Sequence, residues 1–123
     1  MKTLFASFFI PFFSVSCGLM NDDYDIVHTN IGSEALTDVH ISYGKFKSAC
    51  GALPPSASAT HCQAGAEAAI PEDARAEWVT VANGEKHEKL LKVKSMLPKG
   101  RFRGELIFLF KNDDVRLDWR TSP

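Results

Sequence analysis

The sequence predicts an all-β fold, a small antiparallel sandwich of about seven strands that follows a cleaved export segment. Two observations carry this expectation. Short runs that alternate apolar and polar residues recur along the chain, separated by turn residues, and no convincing helical period appears between them. The final stretch also reads as one hairpin whose apolar residues fall on a single face.

A chain of 123 residues suffices for one domain rather than two. Hydrophobic residues at 45% and charged residues at 24% are ordinary for a globular protein. A formal net charge of -1 argues against nucleic acid as a partner, because phosphates call for a basic face.

The N-terminus stands apart. Five of the nine phenylalanines (Phe5, Phe8, Phe9, Phe12, Phe13) lie in the first 13 residues. Lys2 gives a positive start, and Leu4 to Val15 carries no charge. That run is shorter than the roughly 20 residues a spanning helix needs, and it fits the apolar region of an export signal. Pro11 inside it would break a core helix.

The run ends in Ser14-Val15-Ser16-Cys17-Gly18. This resembles the lipobox of bacterial lipoproteins, with a small residue before the cysteine and a small or aliphatic one before that. Ser14 departs from the family, which usually has Leu there. The resemblance implies that Cys17 is acylated, as with palmitate, and that residues 1–16 are removed. Two or more acyl chains make a stable anchor. Gly18 stands where Asp commonly retains such proteins at the inner membrane, so the resemblance implies the outer membrane, facing the periplasm. An ordinary cleaved signal is the other reading. The expected organisation is residues 1–16 as signal peptide, 17–24 as lipidated cysteine and polar tether, and 25–123 as the sandwich.

Within the domain, Ile26 to Ile31 reads as the first strand, broken by Asn30-Ile31-Gly32-Ser33. Leu36 to Phe46 reads as the second, with Val39, Ile41 and Tyr43 on one face and His40 and Ser42 on the other. The phrase HTNIGSEALTDVHISYG resembles the opening hairpin of bacterial Ig-like surface domains, which implies an Ig-like sandwich and carries no active site.

Cys50 and Cys62 lie symmetrically about Ser56 in a turn rich in proline and small residues. On a hairpin they would face each other at bridging distance, and an exported protein permits the disulfide. Such a bond would contribute about 2–4 kcal/mol. A metal site using Cys50, Cys62, His61 and His40 is the alternative, but it lacks the paired short spacing of zinc motifs. Gln63 to Arg75 reads as a loop between sheets, since Pro71 ends any helix there.

Glu77 to Val81 reads as a strand that turns at Asn83-Gly84, a type I′ signal, and returns through Leu90 to Val93. Trp78, Thr80, Leu91 and Val93 share its core face. In the last hairpin Lys111 to Asp114 forms the turn. Phe110 then opposes Val115, Phe108 opposes Leu117 and Leu106 opposes Trp119. Leu109 opposes Arg116, Ile107 opposes Asp118 and Glu105 opposes Arg120. Ile107 and Leu109 are left either covered by another element or open to a partner.

No catalytic motif is present: no Gly-x-Ser-x-Gly turn, no His-Glu-x-x-His and no Gly-rich phosphate loop. His28, His40, His61 and His87 fall on strands or turns without ligand spacing. Asp22, Asp23 and Asp25 suggest a calcium cluster but lack the EF-hand glycine and terminal glutamate, so a solvated tether is the better account. Lys99 to Gly104 is a small basic patch, suited to an anionic partner or simply solvated. The functional expectation is a lipid-anchored, non-enzymatic binding or structural module for an envelope protein, without metal or cofactor. The alternative is a periplasmic inhibitor or immunity protein.

Overall fold

A computed structural model describes residues 22–55, 60–66 and 69–122, with the backbone alone for 60–66. Eight strands follow in chain order: β1 (Asp23–Asn30), β2 (Leu36–Tyr43), β3 (Phe46–Leu53), β4 (Thr60–Ala66), β5 (Asp73–Thr80), β6 (Glu85–Lys92), β7 (Arg103–Lys111) and β8 (Asp114–Thr121). A single 3-10 turn, Lys94–Met96, lies between β6 and β7.

The strands form two four-stranded sheets, one ordered β4-β1-β7-β8 and the other β3-β2-β5-β6. The molecule is therefore a β-sandwich. All pairs are antiparallel except β1 with β7, which run parallel from Asp23↔Arg103 to Asn30↔Phe110. This departs from the purely antiparallel expectation. A parallel pair needs a long crossover, and here the whole opposite sheet supplies it.

The core-facing residues of β1, β7 and β8 follow a two-residue alternation. Tyr24, Ile26, His28 and Asn30 of β1 point inward, as do Leu106, Phe108 and Phe110 of β7 and Val115 and Leu117 of β8. The opposing sheet supplies Leu36, Val39, Ile41, Tyr43, Leu53, Ala74, Ala76, Trp78 and Leu91. The β7–β8 register matches the sequence expectation at all six pairs. Trp119 is only half-buried, at the open edge, where its ring meets Phe102 edge-on.

Other expectations are corrected. Tyr24 is 1% exposed, so the sandwich begins at Asp23, inside the expected tether. The second run is two strands, because Gly44 at φ +57 lets the chain reverse between Tyr43 and Phe46. Gln63 to Ala66 and Asp73 to Arg75 lie in strands rather than a loop. The β5–β6 turn is no two-residue I′ turn. Thr80 pairs with Glu85 across four residues, the Gly84 N–H donates to the Thr80 carbonyl (2.8 Å), and the Asn83 side chain accepts from the Glu85 N–H (3.0 Å).

The two ends are closed differently. At the end where β1 finishes, Asn30 Nδ2 donates to the carbonyls of Glu34 (2.8 Å) and Leu53 (3.1 Å), and its Oδ1 accepts from the Gly32 N–H (2.9 Å). The Asn112 Oδ1 accepts from the Glu34 N–H (3.2 Å), and the Asn112 carbonyl accepts from Trp78 Nε1 (2.8 Å). Gly32 is required here, since a Cβ would lie 2.7 Å from the Asn112 Oδ1. At the other end the Tyr24 and Tyr43 hydroxyls join the sheets at 2.5 Å.

Candidate functional surface

Where a side chain points decides what it can do, so the histidines are the first test. His28 is fully buried on β1, with its ring stacked on Phe110 at 6.0 Å. Neither ring nitrogen has a hydrogen-bond partner among the described residues. Burial pushes its pKa down to about 4, with a smaller contribution from His40, so the ring is neutral at pH 7. His87 packs on Trp78 (5.3 Å) and bonds the Thr80 hydroxyl (2.7 Å). Both rings serve the core.

His40 faces outward. A bulge in β2 at Asp38, held at φ +51, shifts the register against both neighbouring strands. The His40 Nδ1 then lies 3.1 Å from the Asp38 carbonyl, and its Nε2 lies 2.5 Å from the Glu77 Oε1 on the paired strand. Both ring nitrogens thus face oxygen atoms, and the Glu77 carboxylate fixes the orientation of the ring.

Around this pair the outer face of the β3-β2-β5-β6 sheet is concave. Ala49 and Gly51 present little side chain, which leaves a depression of about 610 Å³ beside His40 and Glu77. Lys47, Lys86 and Glu88 border it, and Glu88 pairs with Arg75. Leu90, 60% exposed, lies on the same outer face, in register with Arg75. Charged pairs, small residues and one exposed leucine make a mixed surface suited to another protein.

Asp22 and Asp23, expected in a solvated tether, are instead engaged separately by the domain. Asp22 accepts from the backbone N–H groups of Ile70 (3.0 Å) and Phe102 (2.6 Å), and Asp23 lies 4.0 Å from Arg103. No group of three metal-binding side chains converges among the described residues. Burial raises the pKa of both Tyr24 and Tyr43, so both phenols stay protonated near neutrality.

Cys50 is disulfide-bonded and faces inward from β3. Residues 1–21, with Cys17 and Gly18, and the side chains of His61 and Cys62 lie outside the described residues. The backbone does correct one premise: β3 and β4 form no hairpin but are edge strands of opposite sheets that pack at one side. A Cys50–Cys62 bond would thus join the two layers. On the opposite side Lys89 of β6 reaches Asp114 (2.7 Å) and the Val115 carbonyl (3.0 Å) of β8. The Lys89 ammonium and the Val115 N–H, which donates to the Asp114 Oδ1 (2.8 Å), hold Asp114 below the usual carboxylate range because both favour its charged form.

Ile107 and Leu109 remain half-buried on the outer face of the other sheet, beside the fully buried Val27. In the sequence the basic residues of the β6–β7 connection form a local patch at Lys99 to Gly104. The fold adds Lys94 and Met96 to it.

No protein-family model matches the chain, and no curated protein matches it. Among solved structures, an NMR structure of a protein from Eubacterium rectale is similar at a TM-score of 0.49 and 12% identity, over 85% of this chain and 93% of that one.

Proposed function

We propose that this protein is an exported lipoprotein, anchored through Cys17, whose sandwich is a non-enzymatic binding module for another envelope protein. Cys62 is the proposed partner of Cys50 in the disulfide. The observation that carries the binding role is the concave outer face around His40 and Glu77. Its charged groups pair across strands, and its small residues admit a partner's side chains.

Affinity purification of the full chain from its own envelope tests this. One protein partner should be retained by the native chain and lost with Ala49→Arg, which fills the depression from an exposed strand position without touching the core. Retention of that partner by the variant would remove the surface from the account. A partner enzyme whose activity falls on binding would specify an inhibitor. A partner without activity would specify a structural role.

A further inference from the structure

The end of the sandwich near β1's start carries a basic surface that no long run of like charge in the sequence announces. From Lys89 to Gly104 the chain holds six cationic residues and no acidic one. Folding divides them. Lys89, Lys92 and Arg103 pair with Asp114 (2.7 Å), Asp73 (3.3 Å) and Asp23 (4.0 Å). Lys94, Lys99 and Arg101 make no ion pair among the described residues, and all three are exposed. Met96 stands 50% exposed between them. Leu97 and Phe102 pack inward and fix the connection to the core.

The same connection receives the incoming chain. The Phe102 N–H donates to the Asp22 carboxylate, and the Asp23 N–H donates to the Phe102 carbonyl (3.1 Å). From Cys17 to Asp22 is 22 − 17 = 5 residue steps. Fully extended, they reach about 17 Å. The eight-residue strands are longer than that, roughly 26 Å from end to end. An anchor at Cys17 therefore keeps this end near the bilayer, while the opposite end can stand beyond the tether's reach.

We propose that Lys94, Lys99 and Arg101, with Met96 at the headgroup level, seat this end on the anionic phospholipid surface in which Cys17 is anchored. The proposal rests on the lipoprotein reading of Cys17. The charges complement the surface, and a tether of at most about 17 Å lets them approach within the Debye length of about 8 Å over which that surface attracts them. Exposed methionine beside cations is the composition that interfacial binding uses. Asp22 opposes this little, because both of its oxygens accept backbone N–H groups. Glu72 lies exposed at the same end as a single opposing carboxylate beside the three cations. The outcome is an orientation, with the concave face beside His40 standing upright and open to a partner.

The test uses the full chain, exported with its own signal and purified with its acyl chains. It is placed in vesicles of phosphatidylcholine alone or mixed with phosphatidylglycerol. A membrane-impermeant reagent then acylates lysines, and peptide masses give the rate at each. Lys94 and Lys99 should label about fivefold or more slowly on the anionic vesicles, the effect expected for one cation at a charged surface. High salt should abolish the difference, and Lys86 and Lys111 should label equally on both. Equal rates at Lys94 and Lys99 on the two vesicles, or protection at Lys111 instead, would overturn the orientation while leaving the anchor intact. An unacylated Cys17, visible in the intact mass before labelling, overturns the anchor and the orientation together.

Discussion

The two ends of this sandwich are built on opposite principles. The end at Asn30 is sealed: Asn30, Gly32, Glu34 and Asn112 satisfy one another, and Trp78 is drawn into the same network. The end at Asp22 is closed inside by the Tyr24–Tyr43 bond and at its rim by Asp22, which accepts the Ile70 and Phe102 N–H groups, and it leaves Lys94, Lys99 and Arg101 without an ion pair among the described residues. One end spends its polar groups on the fold. The other holds its charges in reserve. Substitutions at the first should therefore alter stability, whereas those at the second should alter attachment.

The largest expected loss is at Trp78. It is 2% exposed, and Trp78→Ala should cost about 3–5 kcal/mol in denaturant unfolding. Trp119→Ala should cost clearly less, because that ring is half-buried on an edge strand. Equal losses would mean that the sealed end does not dominate.

Next is His28, between the two ends. Its pKa is pushed down to about 4, whereas an unfolded histidine titrates near 6.5. Above pH 6.5 both states are neutral and His28 contributes no pH dependence. As pH falls from about 6.5 to about 4 the unfolded state takes up the proton first, so stability falls. The loss should approach about 3 kcal/mol near pH 4, and it should shrink in His28→Leu. A parallel pH profile for that variant would place the titration elsewhere.

Asn30→Ala leaves two carbonyls and one N–H without their partner and should cost about 2 kcal/mol. Tyr43→Phe removes one inter-sheet bond at the other end and should cost about 1 kcal/mol. If Tyr43→Phe cost more than Asn30→Ala, the contrast between the ends would be reversed. The smallest effect belongs to Lys94→Gln, Lys99→Gln and Arg101→Gln combined. It should leave unfolding within about 0.5 kcal/mol, as exposed unpaired charges contribute little to the fold.

What the sequence revealed follows the same physical lines. The β7–β8 register was legible because Val115, Leu117 and Trp119 alternate with Arg116, Asp118 and Arg120, which resist burial, so a one-residue slip would turn the charges into the core. The β2–β3 hairpin was hidden because only Gly44 and Lys45 separate Tyr43 from Phe46, and Gly44 is the one turn-forming residue between them. Strand β4 was hidden by its alanines and glycine, which carry little strand propensity. Tyr24 was misplaced because two aspartates precede it, yet Asp22 is held by backbone donors rather than solvated. At the candidate surface, His40 and Glu77 lie 37 residues apart, and only strand pairing brings them together. The basic end was half-legible: the letters show its cations, but which of them remain unpaired depends on Asp73, Asp114 and Asp23, which are supplied by other strands.

The claim on which the others depend is the anchor. Mass analysis of the N-terminal peptide, from full chain purified out of a membrane fraction, addresses it directly. A mature chain that begins at Cys17 and carries acyl chains is the predicted result. A chain that begins elsewhere, or a Cys17 without acyl groups, would contradict the account.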